Sequence, residues 1–293
     1  MRSRIAALIR NNRWVPPVIC IGLSALFVAS SWLEAPRWIV VVDGVAFAVA
    51  AFVWGYIHRA LKFAVYPALN HLHRRQYADT WDALAASPKQ AREAACGESD
   101  ENKLRLSAQR AVNNITQLAR IGATDHVLEI GCGVARIGFE LAPRCQHWTG
   151  VDISKNMLAC ATDRLSALDN VRLVHLLAPD LNALPDSSFD LVYATNMFDH
   201  IDQLDRCRYI LDAFRVLRPS GRLYVDNTDL ESDVGWAAFA NGVSTMHEFE
   251  RPPYQPVPAT EAELTTYAKR AGFVNVQGHH RSPLVILVAT KPG

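Results

Sequence analysis

The stretch that decides the fold is Val127-Leu128-Glu129-Ile130-Gly131-Cys132-Gly133-Val134-Ala135-Arg136-Ile137-Gly138. Val127, Leu128 and Ile130 are apolar and largely β-favouring, which predicts a buried strand. Gly131 and Gly133 then allow a sharp turn and a close approach of backbone to ligand. Residues 134–141 follow as a helix whose unpaired N–H groups face that ligand. This is a nucleotide-type turn, but not the dinucleotide fingerprint, because Arg136 holds the place of the third glycine. Glu129 points the same way: a carboxylate two residues before the first glycine repels a pyrophosphate and suits a cation. Cys132, inside the turn, reads as a small packing residue and not as a reactive thiol.

Downstream of this turn, short apolar runs alternate with helical stretches. Strands are predicted over residues 126–130, 147–152, 171–176, 189–195, 222–226, 273–277 and 285–289. Helices are predicted over 134–141, 155–167, 203–217 and 260–271. Strands separated by helices imply an α/β fold with a parallel sheet covered on both faces. In such sheets the ligand lies beyond the C-terminal strand ends. Asp152 ends the second strand about 20 residues after the glycine turn, the spacing of an acid that holds ribose hydroxyls. A helix cap is the alternative role, one that Ser154 can equally supply. Asp180-Leu181, on the loop after the third strand, can accept from an adenine amine and cover its ring.

These motifs together resemble class I S-adenosylmethionine-dependent methyltransferases. Residues 127–133 look like the first motif of that family. Gly150-Val151-Asp152-Ile153-Ser154 with Met157-Leu158 is similar to the second. Asp180 with Leu184-Pro185, and Ser188-Phe189-Asp190-Leu191-Val192, resemble the next pair. Val216-Leu217-Arg218-Pro219-Ser220-Gly221-Arg222-Leu223 resembles the turn into the fifth strand, and Ala271-Gly272-Phe273 the entry to the final hairpin. The resemblance runs from about Asn113 to Lys291. It implies a Rossmann-like sheet of seven strands, the last antiparallel, and S-adenosylmethionine as cofactor. Two departures stand out: Ala135 where a third small residue, often glycine, is usual, and Ser220 where glycine is frequent.

The resemblance also implies a cofactor-binding set of Glu129, Gly131, Cys132, Gly133, Asp152, Ile153, Asp180, Leu181 and Asn196, with no metal. Glu129 would position the cationic end of the cofactor, and Asp180 with the Leu181 backbone would read adenine. Methyl transfer is an in-line displacement, so alignment is the main requirement and the cofactor supplies the reactive group. A base is needed only where the acceptor is protonated. His200 resembles a histidine found here in many relatives; it is either that base or a helix cap. Asp199 is the second candidate. The run Asp226-Asn227-Thr228-Asp229, with Glu231 and Asp233, reads as a solvated loop in preference to a metal or polyol site. The aromatic insertion over residues 235–258 is expected to shape the acceptor pocket.

The N-terminal part is of another kind. Residues 14–32 carry no charge, and residues 38–56 carry only Asp43. Each run spans about 28 Å as a helix, close to a bilayer core. Trp14, Trp32, Trp38, Trp54 and Tyr56 lie near the run ends, where interfacial aromatics belong. The sequence therefore predicts a transmembrane helical hairpin over residues 1–57. A cleavable signal peptide is the rival reading, opposed by the second apolar run. Arg2, Arg4, Arg10 and Arg13 precede the hairpin, and Arg59, Lys62, Arg74 and Arg75 follow it. Both termini and the catalytic domain are thus expected on the cytoplasmic side of the membrane. Residues 58–102 read as a juxtamembrane basic helix and linker, with Ser87-Pro88 and Cys96-Gly97 as breaks, and 103–293 as the methyltransferase domain.

Composition sets further bounds. Net charge is +1 and 50% of residues are hydrophobic, so no global electrostatics favours nucleic acid as a partner. Six cysteines form no Cys-x-x-Cys pair, which speaks against a zinc or redox motif. The partners expected are the bilayer and a membrane-associated or small-molecule acceptor.

Overall fold

The computed structural model of the chain describes residues 77–245 and 254–293. The expected membrane hairpin and the connecting segment up to residue 76 lie outside the described residues, as do His247 and Phe249 of the aromatic insertion. Among the described residues no helix is long and apolar enough to cross a membrane.

Seven strands form one sheet in the order β3-β2-β1-β4-β5-β7-β6. They are β1 (His126–Ile130), β2 (His147–Asp152), β3 (Val171–His175), β4 (Phe189–Ala194), β5 (Leu217–Thr228), β6 (Val274–Arg281) and β7 (Leu284–Thr290). β3, β2, β1, β4 and β5 pair in parallel, and β7 runs antiparallel between β5 and β6. The expected seven-stranded Rossmann-like sheet is therefore present. The helices are α1 (Pro88–Cys96), α2 (Glu101–Ala119), α3 (Arg136–Leu141), α4 (Lys155–Leu165), α5 (Gln203–Val216), α6 (Asp233–Thr245) and α7 (Glu261–Ala271).

Side chains alternate across each strand, so consecutive residues enter opposite cores. Leu128, Ile130, Val192, Ala194, Leu223 and Val225 join residues of α5 and α7 on one face. Val127, Leu191, Tyr193 and Tyr224 join residues of α2, α3 and α4 on the other. Glu129 pairs in register with Tyr193 and so faces the second core, carrying a carboxylate into an apolar layer.

Three elements differ from the sequence expectation. Ser87-Pro88 and Cys96-Gly97 are not breaks but the two ends of α1. The Ser87 side chain accepts from the Gln90 amide, Pro88 opens the first turn, and Gly97 closes the helix at φ 74; these are the ordinary start and stop signals of a helix. β5 begins at Leu217, five residues ahead of the expected Arg222, because Leu217 pairs with Phe189 before the register shifts. Within that shift Ser220 takes φ 64, the left-handed region that the family's usual glycine enters at less cost. Finally, the first part of the aromatic insertion, up to Thr245, is helical as part of α6.

Candidate active site

An open cleft lies beyond the C-terminal ends of β1, β2 and β4. Its floor is the glycine turn. The amides of Gly131 and Cys132 both donate to the Val151 carbonyl, at 2.8 and 3.0 Å, which folds the turn back onto β2. Gly131 has φ 70, and a Cβ there would stand 2.4 Å from Met197 Cγ. The position therefore needs glycine for both backbone and space. Ala135 takes φ 53 at the start of α3, the strained counterpart of the small residue expected there. Cys132 is buried, and burial pushes its thiol well above the usual range, in keeping with a packing role.

Asp152 closes the side of the turn. Its Oδ2 accepts from the Gly133 amide and its Oδ1 from the Ser154 amide, each at 2.8 Å. Each carboxylate oxygen has a second lone pair, so the pair can accept two further hydroxyls from the cleft. Burial raises its pKa, opposed by the amides of Ser154, Gly133 and Ile153. The capping role falls to Ser154, whose hydroxyl accepts from the Met157 amide at 3.1 Å.

Glu129 is 3% exposed and lines the same cleft. It accepts from the Tyr193 hydroxyl at 2.6 Å, and that hydroxyl accepts from Trp148 Nε1 at 3.0 Å. Burial pushes its carboxyl up to about 8, against the pull of Tyr193 and Arg136. A carboxylate held this way is stabilised by a cation entering the cleft. Arg136 also lines the cleft, but its guanidinium donates to Ser107 on α2 at 3.2 Å. The donor set thus fits a cationic nucleoside with a vicinal diol, as S-adenosylmethionine is.

The structure brings together Glu129, Gly131, Cys132, Gly133, Asp152, Ile153, Asn196 and His200 around one cleft. It does not bring Asp180, Leu181 or Asp199 to that lining. The Leu181 amide donates to Asp212 of α5 at 3.0 Å, so it has no free donor for a base. Asp180 closes a local turn by accepting from the Asn182 amide. From that loop Leu176 and Pro179 line the cleft instead. Asp199 is 7% exposed and accepts from the Thr228 amide at 2.7 Å, while its carbonyl accepts from the Val257 amide at 2.7 Å. It is a tie between the turn after β4 and the end of β5.

His200 sits on a 3₁₀ turn, Phe198–His200. Arg206 of α5, fully buried, donates through Nε to the Phe198 carbonyl at 2.8 Å and pairs with Glu263 at 3.1 Å. The turn is thereby pinned to α5 and α7. The His200 ring packs edge-on against Trp81, with centroids 5.0 Å apart. Trp81 and Tyr77, on helical residues 77–84, line the cleft with Ala94 and Ala95 of α1. The sequence reading placed this segment in a linker. The capping signals at Ser87, Pro88 and Gly97 were the clue to its order. Asp82 fixes it to α4 by accepting from the Ser154 hydroxyl at 2.6 Å. Trp236 and Phe239 of the insertion do not line the cleft, whereas the Tyr254 carbonyl contacts His200.

The acidic run is not a solvated loop throughout: Asp226 and Asn227 are buried within β5, and Asp229 is buried just after it. Asp226 accepts from the Asn196 amide at 2.9 Å, and burial pushes it up to about 7. Asp229, Glu231 and His280 bring ligand atoms within 4.8 Å of one another. Both His280 nitrogens are engaged, however, by Asp229 at 2.7 Å and Glu261 at 2.9 Å.

Residues 127–221 match a family model described as a methyltransferase domain. The likeness to a methyltransferase domain thus covers the strand, glycine turn and cleft-bearing part of the chain. Among curated proteins, it is 33% identical over 131 residues to demethylmenaquinone methyltransferase of Listeria monocytogenes, covering 43% of this chain and 54% of that one. It is 32% identical over 129 residues to 27-O-demethylrifamycin SV methyltransferase of Amycolatopsis mediterranei, covering 43% and 47%. The chain thus spans about half the length of the curated relatives it matches. A solved Haemonchus contortus phosphoethanolamine N-methyltransferase, in complex with S-adenosylhomocysteine, superposes with a TM-score of 0.52 at 18% identity, covering 63% and 53%. That likeness concerns the methyltransferase fold alone.

Proposed function

We propose that this protein transfers a methyl group from S-adenosylmethionine to an apolar, membrane-associated acceptor, held at the cytoplasmic face of a membrane by the N-terminal hairpin. The observation that carries the transfer is the shared cleft of Glu129, Asp152 and His200. The cofactor, when bound, supplies an electrophilic methyl group. Asp152 takes the ribose hydroxyls and Glu129 the cationic end. Gly131 and Gly133 let the backbone approach closely. Asn196 borders the site from the turn after β4.

His200 is the base of this reading. Nδ1 lies 2.8 Å from the Tyr254 carbonyl. A carbonyl only accepts, so Nδ1 carries the hydrogen and Nε2 is the basic nitrogen of the neutral ring. Nε2 takes the proton of an acceptor hydroxyl as the new bond to the methyl carbon forms and the carbon–sulfur bond breaks. Tyr77 and Trp81 supply an aromatic wall for an apolar acceptor. The relatives' names, a menaquinone precursor and a rifamycin among them, favour such an acceptor over a polar metabolite. The uncharged run 14–32 and the run 38–56, charged only at Asp43, favour one held in or on a membrane.

The deciding experiment incubates the purified full chain with methyl-labelled cofactor and fractionated membranes. Label in the lipid-extractable fraction is expected. Label confined to soluble metabolites overturns the membrane acceptor. Calorimetric binding of NAD, with none of S-adenosylmethionine, overturns the cofactor assignment in favour of an oxidoreductase. Intact biological activity in Gly131→Arg would favour a non-catalytic scaffold.

A further inference from the structure

Helix α6 has a composition that its surroundings do not explain. Its sequence is Asp233-Val234-Gly235-Trp236-Ala237-Ala238-Phe239-Ala240-Asn241-Gly242-Val243-Ser244-Thr245, with one charged residue, at its start. A helix this apolar is ordinarily buried in a core. Here Gly235 is its one buried residue. Trp236, Phe239 and Val243 fall at i, i+3 and i+7 and are 58%, 39% and 63% exposed. They form one stripe, with the Trp236 and Phe239 rings 5.9 Å apart. The helix stands on a close backbone contact: a Cβ on Gly235 would meet the Asp229 carbonyl at 1.9 Å.

We infer that α6 lies in the interfacial layer of a lipid bilayer and turns the mouth of the cleft toward it. At thirteen residues it is about 20 Å long, too short to span a bilayer, so only its Trp236, Phe239 and Val243 stripe can meet one. Trp and Phe are side chains that partition into that layer. Beyond Asp233 the helix has no charge to fix an orientation on a protein partner. Two more exposed apolar side chains follow C-terminal strand ends of the parallel part of the sheet, as α6 does: Leu177 after β3 and Leu204 at the start of α5 are 90% and 80% exposed. The chain outside the described residues carries two uncharged or nearly uncharged runs of about 19 residues, each sufficient for a bilayer, and it rejoins the structure at Tyr77, in the cleft wall. This inference rests on the membrane-associated acceptor proposed above and adds the surface through which that acceptor arrives.

The test uses the full chain in phosphatidylcholine nanodiscs with 5-fluorotryptophan in place of tryptophan. Trp236→Phe identifies the Trp236 fluorine resonance by its disappearance. Spin-labelled phosphatidylcholine is expected to broaden that resonance at least twofold, and a water-soluble paramagnetic agent to leave it sharp. Broadening by the soluble agent alone overturns the inference. Insensitivity to both also overturns it, by assigning the stripe to a protein contact. Cofactor binding, measured by calorimetry on the same sample, reports separately on the methyltransferase reading.

Discussion

The Tyr193 hydroxyl donates to Glu129 Oε2 at 2.6 Å across the β1–β4 pair. This bond helps hold a carboxyl group beneath the glycine turn, in a layer that otherwise holds Trp148, Leu191 and Tyr224. Burial raises the Glu129 pKa from 4.5 to about 8. In the free protein at neutral pH the group is mostly protonated, and a cation in the cleft favours its ionised form. Cofactor binding therefore releases a proton. The dissociation constant for S-adenosylmethionine should fall as pH rises toward 8, by up to about tenfold per unit, and level off above it. Titration calorimetry in buffers of different ionisation enthalpy measures both effects. A pH-independent affinity would remove Glu129 from the cation's site.

The same shift bears on stability with the opposite slope. Between about pH 4.5 and pH 8 the folded state binds a proton at Glu129 that the unfolded chain has lost, so stability falls as pH rises through this window. Glu129→Gln removes that slope. The variant should melt higher than wild type at pH 8, by a margin that shrinks toward pH 5, while binding the cofactor more weakly.

Asp152 is held by two amides, those of Gly133 and Ser154. An amide side chain offers only one oxygen, so Asp152→Asn sets its NH₂ group against one of these donors. The turn loses a bond and the ribose loses an acceptor. Each lost bond to a charged group is worth about 1.5–3 kcal/mol. Cofactor affinity should drop at least tenfold in calorimetry, with the sheet's circular dichroism retained.

For His200 the expectation concerns rate. A positioned base contributes about 10²–10⁴-fold. His200→Ala should lower kcat within that range and leave cofactor affinity within a factor of about three. Unchanged turnover would reassign His200 to a structural role beside Trp81.

Ser220 has φ 64 at the register shift of β5. A non-glycine residue in that region costs about 1–2 kcal/mol, against about 0.5–1 kcal/mol for the added freedom of glycine in the unfolded chain. Ser220→Gly should raise Tm by about 2 °C in scanning calorimetry. A lower Tm would show that the serine hydroxyl supplies a contact worth more than the strain.

The parts of this molecule legible in its sequence are those encoded locally. β1 and β2 end where apolar alternation meets Gly131 and Asp152, and the glycine turn marks the cleft before any contact is known. The partner of the Leu181 amide is not local: Asp212, 31 positions later on α5, takes it. Asp199 shows the same limit, because its partner Thr228 lies 29 positions away. Trp81 gave no local sign that it would meet His200, since the contact depends on helical residues 77–84 packing back over the cleft. At Ser87 and Gly97 the signals were present but admit two meanings, and only the Gln90 amide on the Ser87 hydroxyl distinguishes a cap from a break.

The hydrogen bond from the Ser154 hydroxyl to Asp82 has a practical consequence for how the chain is divided. Ser154 caps α4 beside Asp152 and also fastens the segment that carries Tyr77 and Trp81. A fragment begun at Lys103 would keep every strand of the sheet and lose one wall of the cleft. It would leave the Ser154 hydroxyl without its acceptor and His200 without its aromatic neighbour. The shortest unit that retains the fold and the shortest unit that retains the chemistry therefore begin at different residues, and truncations meant for binding or crystallisation must start upstream of Tyr77.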